Sequence, residues 1–470
     1  MFRPATSTVA DDLTRVLGPR LPVAVEAFDG SRSGPVGAEV TVRLLSPAAL
    51  RRMIGAPGEL GFARAHVSGE LDLIGDVYTA LRLRDEGWAA PRPAQFAALT
   101  RLARAAGLPA RLPAPPPEEA RLRGRRHSRT RDAAAISHHY DVSNDFYRLV
   151  LGPTMTYSCG VWARSDVGLD AAQEAKHALV AAKLGLTRGM RLLDVGCGWG
   201  GMVIHAARHH GVRAVGVTLS REQAALARRR AAEAGVADLV EIRHADYRDV
   251  CDGPYDAVSS IGMFEHVGAA QLDEYFGRMR RLLGPGGRLL NHGISRPPGE
   301  RSRFGRRSFV ERYVFPDGEL QEIGSVVSRL QQAGLEARHV ESLREHYPLT
   351  LRAWVRNLEE RWDEAVALAG PARARIWRLY MAGSALAFEA GHVQVHQTLA
   401  VRPDSGRSKM PLRPGWDARS PRAEPAAPIR PRPTVGPAAD SPCPPGSSRL
   451  GVAAPGGAFV VDGAGSDRPA

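Results

Sequence analysis

The chain reads as an α/β protein: a Rossmann-like sheet flanked by helices, preceded by a smaller N-terminal α+β unit and followed by a disordered tail. Three observations predict this. Between about residues 170 and 293, short apolar strands alternate with helix-length amphipathic segments, the order that a parallel sheet with helices on both faces requires. One of those strands, Arg191 to Gly196, runs directly into Gly196, Cys197, Gly198, Trp199 and Gly200, a glycine-rich turn that opens a helix. Proline marks the edges of the folded parts, with a cluster at Pro113 to Pro117 and a dense run beyond residue 401, in a chain that carries 35 prolines.

Taken in order, residues 1–106 hold an alternating strand from Ala38 to Ser46. A capped short helix follows from Ser46 to Ile54, then a helical pattern from Asp72 to Asp85. Residues 107–132 form a linker rich in proline and arginine, including Arg121, Arg123, Arg125, Arg126, Arg129 and Arg131. Residues 133–400 are the main unit. Its helices are predicted near 170–184, 200–210, 221–235 and 270–283, interleaved with strands near 191–196, 214–219, 239–245, 256–262 and 287–293. Residues 401–470 are too rich in proline to bury a core and are expected to be disordered.

Composition narrows the function classes. The 470 residues carry 63 basic and 50 acidic side chains, a formal net charge of +13. Only Lys176, Lys183 and Lys409 are lysines, so the surplus is almost entirely arginine, as GC-rich coding produces. The charge favours an anionic partner without specifying nucleic acid. Cys159, Cys197, Cys251 and Cys443 form no CxxC pair, which excludes a zinc ribbon and a disulfide framework and fits a reducing cytosol. The opening MFRPATSTVADDLTRVLG lacks the features of a signal peptide, and no apolar run approaches about 18 residues. A cytoplasmic protein able to lie against the inner face of a membrane is expected. No metal site is expected.

The glycine turn is the first chemical signal. Glycines let a backbone turn tightly beneath a ligand, and the helix that follows presents unpaired N–H groups. A dinucleotide-binding turn would place an acidic residue on the ribose about 20 positions on. Here the second strand ends Gly216, Val217, Thr218, Leu219, Ser220 without a carboxylate, while Asp194 precedes the first glycine. LLDVGCGWGG resembles motif I of S-adenosylmethionine-dependent methyltransferases.

The flanking segments are more specific. HYDVSNDFYRLVLGPTMTYSCGVW (139–162), GVTLSREQ (216–223), DYRD (246–249), SIGMFEHVG (260–268), RYVFPDGEL (312–320) and HYPLTLRAW (346–354) occur in that order. Together they closely resemble the cyclopropane-fatty-acyl-phospholipid synthase family, which includes the mycolic acid cyclopropane synthases. The resemblance covers about residues 133–400. PGELGFARAHVSGELDL (57–73) is similar to the N-terminal segment of the long bacterial members.

That resemblance implies a class I methyltransferase sheet with a helical acyl-binding cover. Tyr157, Ser158, Asp194, Gly196, Gly198, Thr218, Gln223, Asp246 and Tyr247 would surround S-adenosylmethionine. Glu222 is placed on a solvated helix face. An alkene attacks the sulfonium methyl, leaving a carbocation, and ring closure requires a base inside an apolar tunnel, where charge is costly unless hydrogen-bonded. Family members use a bound bicarbonate ion, and the matching positions are Cys159, Glu265, His292 with Ile294, and Tyr347. Singly, each of these residues has an ordinary structural role; jointly, in their motifs, they point to the base site. Cys159 is not expected to be a nucleophile, because the mechanism has no acyl-enzyme step.

One departure stands out. Asn291 and Gly293 flank His292 in LLNHGI, where many members read LLHTI, and the added amide is expected to bear on how the base or cation is handled. A related branch makes 10-methylene and then 10-methyl (tuberculostearic) chains instead of a ring, and a partner reductase would then act on the product. Cyclopropanation is the first expectation and methylene transfer the alternative. The substrate implied is an unsaturated acyl chain of a phospholipid at an anionic membrane surface. Arg121 to Arg131 and Arg301, Arg303, Arg306, Arg307 and Arg312 would attract headgroups at about 1 kcal/mol each. A homodimer is expected by resemblance to the long members. A nucleic-acid methyltransferase would place stacking aromatics beside the basic linker, which has none. A non-catalytic binder would show erosion at Gly196, Gly198, Glu265, His292 or Tyr347.

Overall fold

The computed structural model describes residues 7–18, 22–87, 93–109, 111–120, 124–129, 131–132, 143–299 and 308–416. Arg121, Arg123, Arg301, Arg303, Arg306, Arg307, the start of the first motif (residues 139–142), and the tail from residue 417 lie outside them.

The N-terminal elements are α1 (Val9–Leu17), β1 (Val23–Glu26), β2 (Arg32–Ser33), β3 (Val40–Leu44), α2 (Pro47–Gly55), α3 (Glu59–Val67), β4 (Leu71–Gly75), α4 (Val77–Gly87) and α5 (Pro93–Ala105). Their sheet has the order β2-β1-β3-β4, with β1 parallel to β3 and the other pairs antiparallel. The helix expected from Asp72 is corrected here: Leu71 to Gly75 pairs with β3, setting Leu73 opposite Val42, and helix begins only at Val77. The alternation of buried Leu71 and Leu73 is a strand period that the helical run beyond it masks.

The main sheet is built from β5 (Arg191–Val195), β6 (Arg213–Thr218), β7 (Val240–His244), β8 (Tyr255–Ile261), β9 (Leu283–Arg296), β11 (Glu336–Ser342) and β12 (Gln394–Val401), in the order β11-β12-β9-β8-β5-β6-β7, with short β10 (Gln321–Glu322) beside β9. The expected parallel strands β5 to β9 are parallel, but β12 runs antiparallel to both β9 and β11, so the sheet is mixed. Helices α7 (Leu169–Leu184), α8 (Gly201–His210), α9 (Arg221–Glu233), α10 (Leu272–Leu282) and α12 (Ile323–Gln332) cover its faces. Two apolar clusters form there, one around Leu192, Val203 and Leu290 and the other around Val258, Phe276 and Leu289. Short 3-10 turns lie at Tyr247–Asp249 and Phe264–His266.

Above the carboxyl ends of the strands sits a cap of α6 (Asn144–Leu151), α11 (Phe309–Tyr313), α13 (His346–Glu360), α14 (Trp362–Ala369) and α15 (Pro371–Glu389). Its core is aromatic: Phe146, Tyr147, Trp354 and Trp377 are buried together, with Tyr147 and Trp377 edge-to-face at 5.2 Å. No helix among the described residues is long and apolar enough to cross a membrane. Past β12 the chain remains placed to Trp416, which packs against His339 with ring centroids 5.2 Å apart.

Candidate functional site

The candidate site begins where β5 ends. Gly196, Gly198 and Gly200 have φ of +79°, +53° and +82°, a region that side chains disfavour. A methyl on Gly196 would also stand 3.3 Å from the Met263 Cβ. This turn floors a cavity of about 110 Å³, lined also by Tyr157, Ser158, Asp194, Thr218, Gln223 and Tyr247. Ser220 caps α9 by accepting from the Gln223 N–H, and the Thr218 hydroxyl donates to Gln223 Oε1 at 2.7 Å, so this corner is fixed by neighbours in sequence. Burial raises the Asp194 carboxyl to about 6, opposed by the Ser259 hydroxyl donating to it at 2.6 Å. Asp246 does not line this cavity. Its carboxylate is turned to the Arg248 guanidinium, at 2.9 and 2.6 Å, and that guanidinium lies 5.5 Å from the Tyr247 ring centroid.

A second cavity, of about 800 Å³, meets the first at Tyr157, Ser158, Gly262 and His266, which line both. Glu265, His292, Ile294 and Tyr347 line it close to this junction. Glu265 sits in a 3-10 turn after β8, and its Oε1 accepts from the Ile294 N–H at 2.7 Å. Burial pushes the carboxyl up to about 7. Its Oε2 has no hydrogen-bond partner among the described residues.

His292 lies on β9 opposite Gln397 of β12, and their side chains meet with Gln397 Nε2 3.2 Å from Nδ1. Gln397 Oε1 accepts from the Lys183 ammonium at 2.7 Å, and Lys183 also pairs with Glu341. An ammonium only donates, so the amide oxygen must face Lys183 and the amide N–H must face Nδ1. The proton of His292 is thereby assigned to Nε2, which is buried and finds no partner among the described residues. Burial, followed by the charges of Lys176 and Lys183, drives the imidazole down to about 3, so it is neutral.

Several expected residues lie elsewhere. The Cys159 thiol lines neither cavity; it faces the Leu343 carbonyl at 3.8 Å, and burial raises its pKa far above the ordinary thiol value. Asn291 also lines neither cavity, because strand alternation turns it to the face opposite His292. The space beside Gly293 is filled by the Phe264 ring, which a Cβ would approach to 1.9 Å. In the linker, Arg126 pairs with Asp317 at 2.9 Å, Arg129 with Asp249 at 2.8 Å and Arg131 with Asp317. Arg312 pairs with Glu119 at 3.5 Å. Each of these four arginines thus has an acidic partner, buried in the case of Asp317 and Glu119 and exposed in the case of Asp249, which reduces the positive charge expected to meet headgroups. Glu222 is exposed, as expected.

Sequence reasoning missed Lys176 and Lys183, which are 1% and 0% exposed. Lys176 lines the smaller cavity and donates to the Ser158 hydroxyl at 3.0 Å, and burial lowers its ammonium to about 7. A signal was present. Seven residues apart on one helix face, these two stay lysine in a chain whose other bases are arginine, Lys409 excepted. Among the described residues, Glu174, His205 and His209 bring ligand atoms within 4.8 Å of one another and line neither cavity.

A family model described as mycolic acid cyclopropane synthetase matches residues 127–398. The chain is 48% identical to a probable fatty acid methyltransferase of Mycobacterium tuberculosis over 84% of this chain and 95% of the relative. It is 32% identical to the tuberculostearic acid methyltransferase UfaA1 of the same organism, over 85% and 92%. A crystal structure of the mycolic acid cyclopropane synthase CmaA1 complexed with SAH and CTAB superposes with a TM-score of 0.54 at 35% identity, covering 57% of this chain and 97% of that one.

Proposed function

The chain belongs to the mycolic acid cyclopropane synthetase family of S-adenosylmethionine-dependent lipid methyltransferases, and on that premise we propose that it transfers the donor methyl to the double bond of an unsaturated phospholipid acyl chain and closes a cyclopropane ring. One observation carries this reading. A polar donor pocket opens onto a large apolar cavity where two buried polar atoms, Glu265 Oε2 and His292 Nε2, lack partners among the described residues.

The turn from Gly196 to Gly200, with Asp194, Thr218, Gln223 and Tyr247, holds S-adenosylmethionine with its sulfonium toward Tyr157 and Ser158. The apolar walls exclude water and hold the alkene in line with the S–CH3 bond. As the alkene attacks, that bond breaks, S-adenosylhomocysteine leaves, and positive charge develops on the chain. Aromatic side chains that line the large cavity, Tyr157, Tyr347 and Tyr380, stabilise that charge. Ring closure then releases one proton from the transferred methyl.

Orphaned polar atoms in an apolar cavity cost free energy unless a polar occupant satisfies them. Here one is a donor, His292 Nε2–H, and the other a carboxylate oxygen that accepts. Bicarbonate, having both acceptor oxygens and a hydroxyl, fits that pair and when bound supplies the base. His292 would donate to it, Tyr347 would flank it, and ionised Glu265 would accept its hydroxyl and take on the released proton. Cys159 contributes only packing beneath this site.

A second reading is favoured by the relatives that span most of the chain, which bear fatty acid methyltransferase and tuberculostearic acid methyltransferase names. In it a hydride shifts between the two former alkene carbons before the methyl loses its proton, giving a 10-methylene chain that a reductase would saturate. Incubation with S-adenosylmethionine and an oleoyl phospholipid, followed by proton NMR, tests both. Upfield ring protons support cyclopropanation, vinylidene protons support the second reading, and an unaltered lipid overturns both.

A further inference from the structure

We infer that the N-terminal sheet and its helices form the far part of the acyl-chain chamber, so that the methyl end of a long acyl chain lies inside the N-terminal fold. This rests on the proposed lipid substrate but assigns a binding site that the catalytic motifs do not contain. The cavity that holds Glu265 and His292 does not end in the cap. It continues to Leu13 on α1, Val23 and Val42 on the sheet, Leu50 and Met53 on α2, and Leu102 on α5.

The passage between the two parts is built. Helix α15 packs on α3 and α4, and Leu81 approaches Gly383 there, both lining the cavity. The junction is pinned by groups around the passage. The Phe309 N–H donates to Glu59 Oε1 at 3.2 Å, Arg378 donates to the Gly75 carbonyl at 3.3 Å, and Arg352 lies 4.0 Å over the Tyr78 ring. The two folds are thus held in register where a chain would cross.

The chemistry of the far part admits one class of occupant. Its walls are apolar, and the polar side chain at its end, Gln95, is held by the Arg15 and Val16 carbonyls at 3.1 and 3.2 Å. Polar molecules would leave their water without replacement partners there. Left empty, the same space denies its lining the dispersion contacts of a filled core. Apolar cavities of this kind stay dry and take up hydrocarbon. The substrate has such a piece: an internal double bond at Glu265 needs room for hydrocarbon on both sides, and the polar donor turn closes one direction.

Hydrocarbon at this place comes either from the reacting chain or from its sister chain on the same phospholipid. The test uses the full chain with two phospholipids carrying a terminal diazirine, on the unsaturated chain in one and on the saturated sister in the other. After irradiation, labelled peptides are mapped. Label within 47–55 or 93–105 from the first lipid supports the inference with the reacting chain as source; from the second, with the sister chain. Label confined in both to residues beyond 143 overturns it. Methyl transfer to the unmodified lipid is measured alongside, so a failed placement with intact transfer removes this inference alone, whereas absent transfer removes the proposed function. A second measurement uses Ala103→Phe, which narrows the far part away from the reacting groups. Turnover of a long chain relative to one shortened beyond the double bond should fall roughly tenfold for every two methylenes excluded; an unchanged ratio also overturns the inference.

Discussion

The two cavities that we propose hold the methyl donor and the acyl chain, the donor pocket and the acyl cavity, meet at shared residues, yet they are made in opposite ways. The donor pocket is small and polar, and its turn, strand ends and caps come from short sequence neighbourhoods such as Asp194 to Gly200 and Thr218 to Gln223. The acyl cavity is large and apolar, and it draws on elements from α1 to β12. Local chemistry builds the first and tertiary assembly the second. At their boundary a few polar groups are imported into the apolar side at a cost, and there the sharpest experiments lie.

The largest effect is expected at Glu265. Glu265→Gln keeps the shape but removes the carboxylate proposed to accept the proton, and methyl-transfer turnover should fall about 1000-fold, within the usual range for a general base. Donor affinity, measured by calorimetry with S-adenosylhomocysteine, should stay within about twofold, because the donor pocket does not depend on this group. Equal losses in binding and turnover would erase the division between the two regions. In the wild type, turnover should decline as pH falls through about 7, where Glu265 gains its proton.

The same substitution tests what the imported carboxylate costs the fold. Burial raises Glu265 from an ordinary 4.5 to about 7, so the folded chain binds this proton more tightly than the unfolded chain. Its contribution to stability is therefore full below about 4.5 and is lost as pH rises to about 7, a swing of about 3 kcal/mol. A glutamine side chain does not titrate. Urea melts of both proteins at pH 5 and pH 8 should show the variant gaining on the wild type by that order, and parallel pH profiles would count against a desolvated carboxylate.

Legibility in the sequence follows the same division. The strand, glycine turn and helix around Gly196 were readable because their signals are contiguous. Glu265, His292 and Tyr347 were identified by resemblance, and no spacing rule would have joined them. What escaped was set by distant pairing. Leu71 to Gly75 is a strand because β3 lies beside it, and β11 and β12 join the sheet although no alternation announced them. The ion pairs of the linker arginines escaped because their partners Asp249 and Asp317 are far away in the chain. Lys183 escaped because its role exists only through Gln397.

That role gives the next prediction. Lys183→Met removes the cation that fixes the orientation of the Gln397 amide, so the proton of His292 is no longer held on Nε2. Turnover should fall roughly tenfold, as when a supporting hydrogen bond to a functional histidine is lost. The nitrogen-15 spectrum of labelled protein should show the His292 tautomer shift, a change that general loosening of the fold does not produce. A preserved Nε2–H signal with lowered activity would assign Lys183 to stability alone. On the donor side, Gly196→Ala must hold a methyl at φ +79° and 3.3 Å from Met263. Strain of about 1 kcal/mol should weaken S-adenosylhomocysteine binding roughly fivefold and leave turnover at saturating donor nearly unchanged.

The smallest effect is expected at Asn291, the residue that precedes His292 on β9. Adjacent residues on a strand point to opposite faces, so an amide next to His292 in sequence is separated from it by the sheet. Asn291 is buried and lines neither cavity, and its Oδ1 lacks a partner among the described residues. Such an atom weakens the fold rather than steering a cation on the far side. Asn291→Ala should therefore leave the ring-to-methylene ratio in the product NMR unchanged and turnover within about twofold, with stability altered by about 1 kcal/mol in either direction. A changed product ratio would mean that the faces of the sheet communicate, and that the division between locally built and assembled regions does not hold at β9.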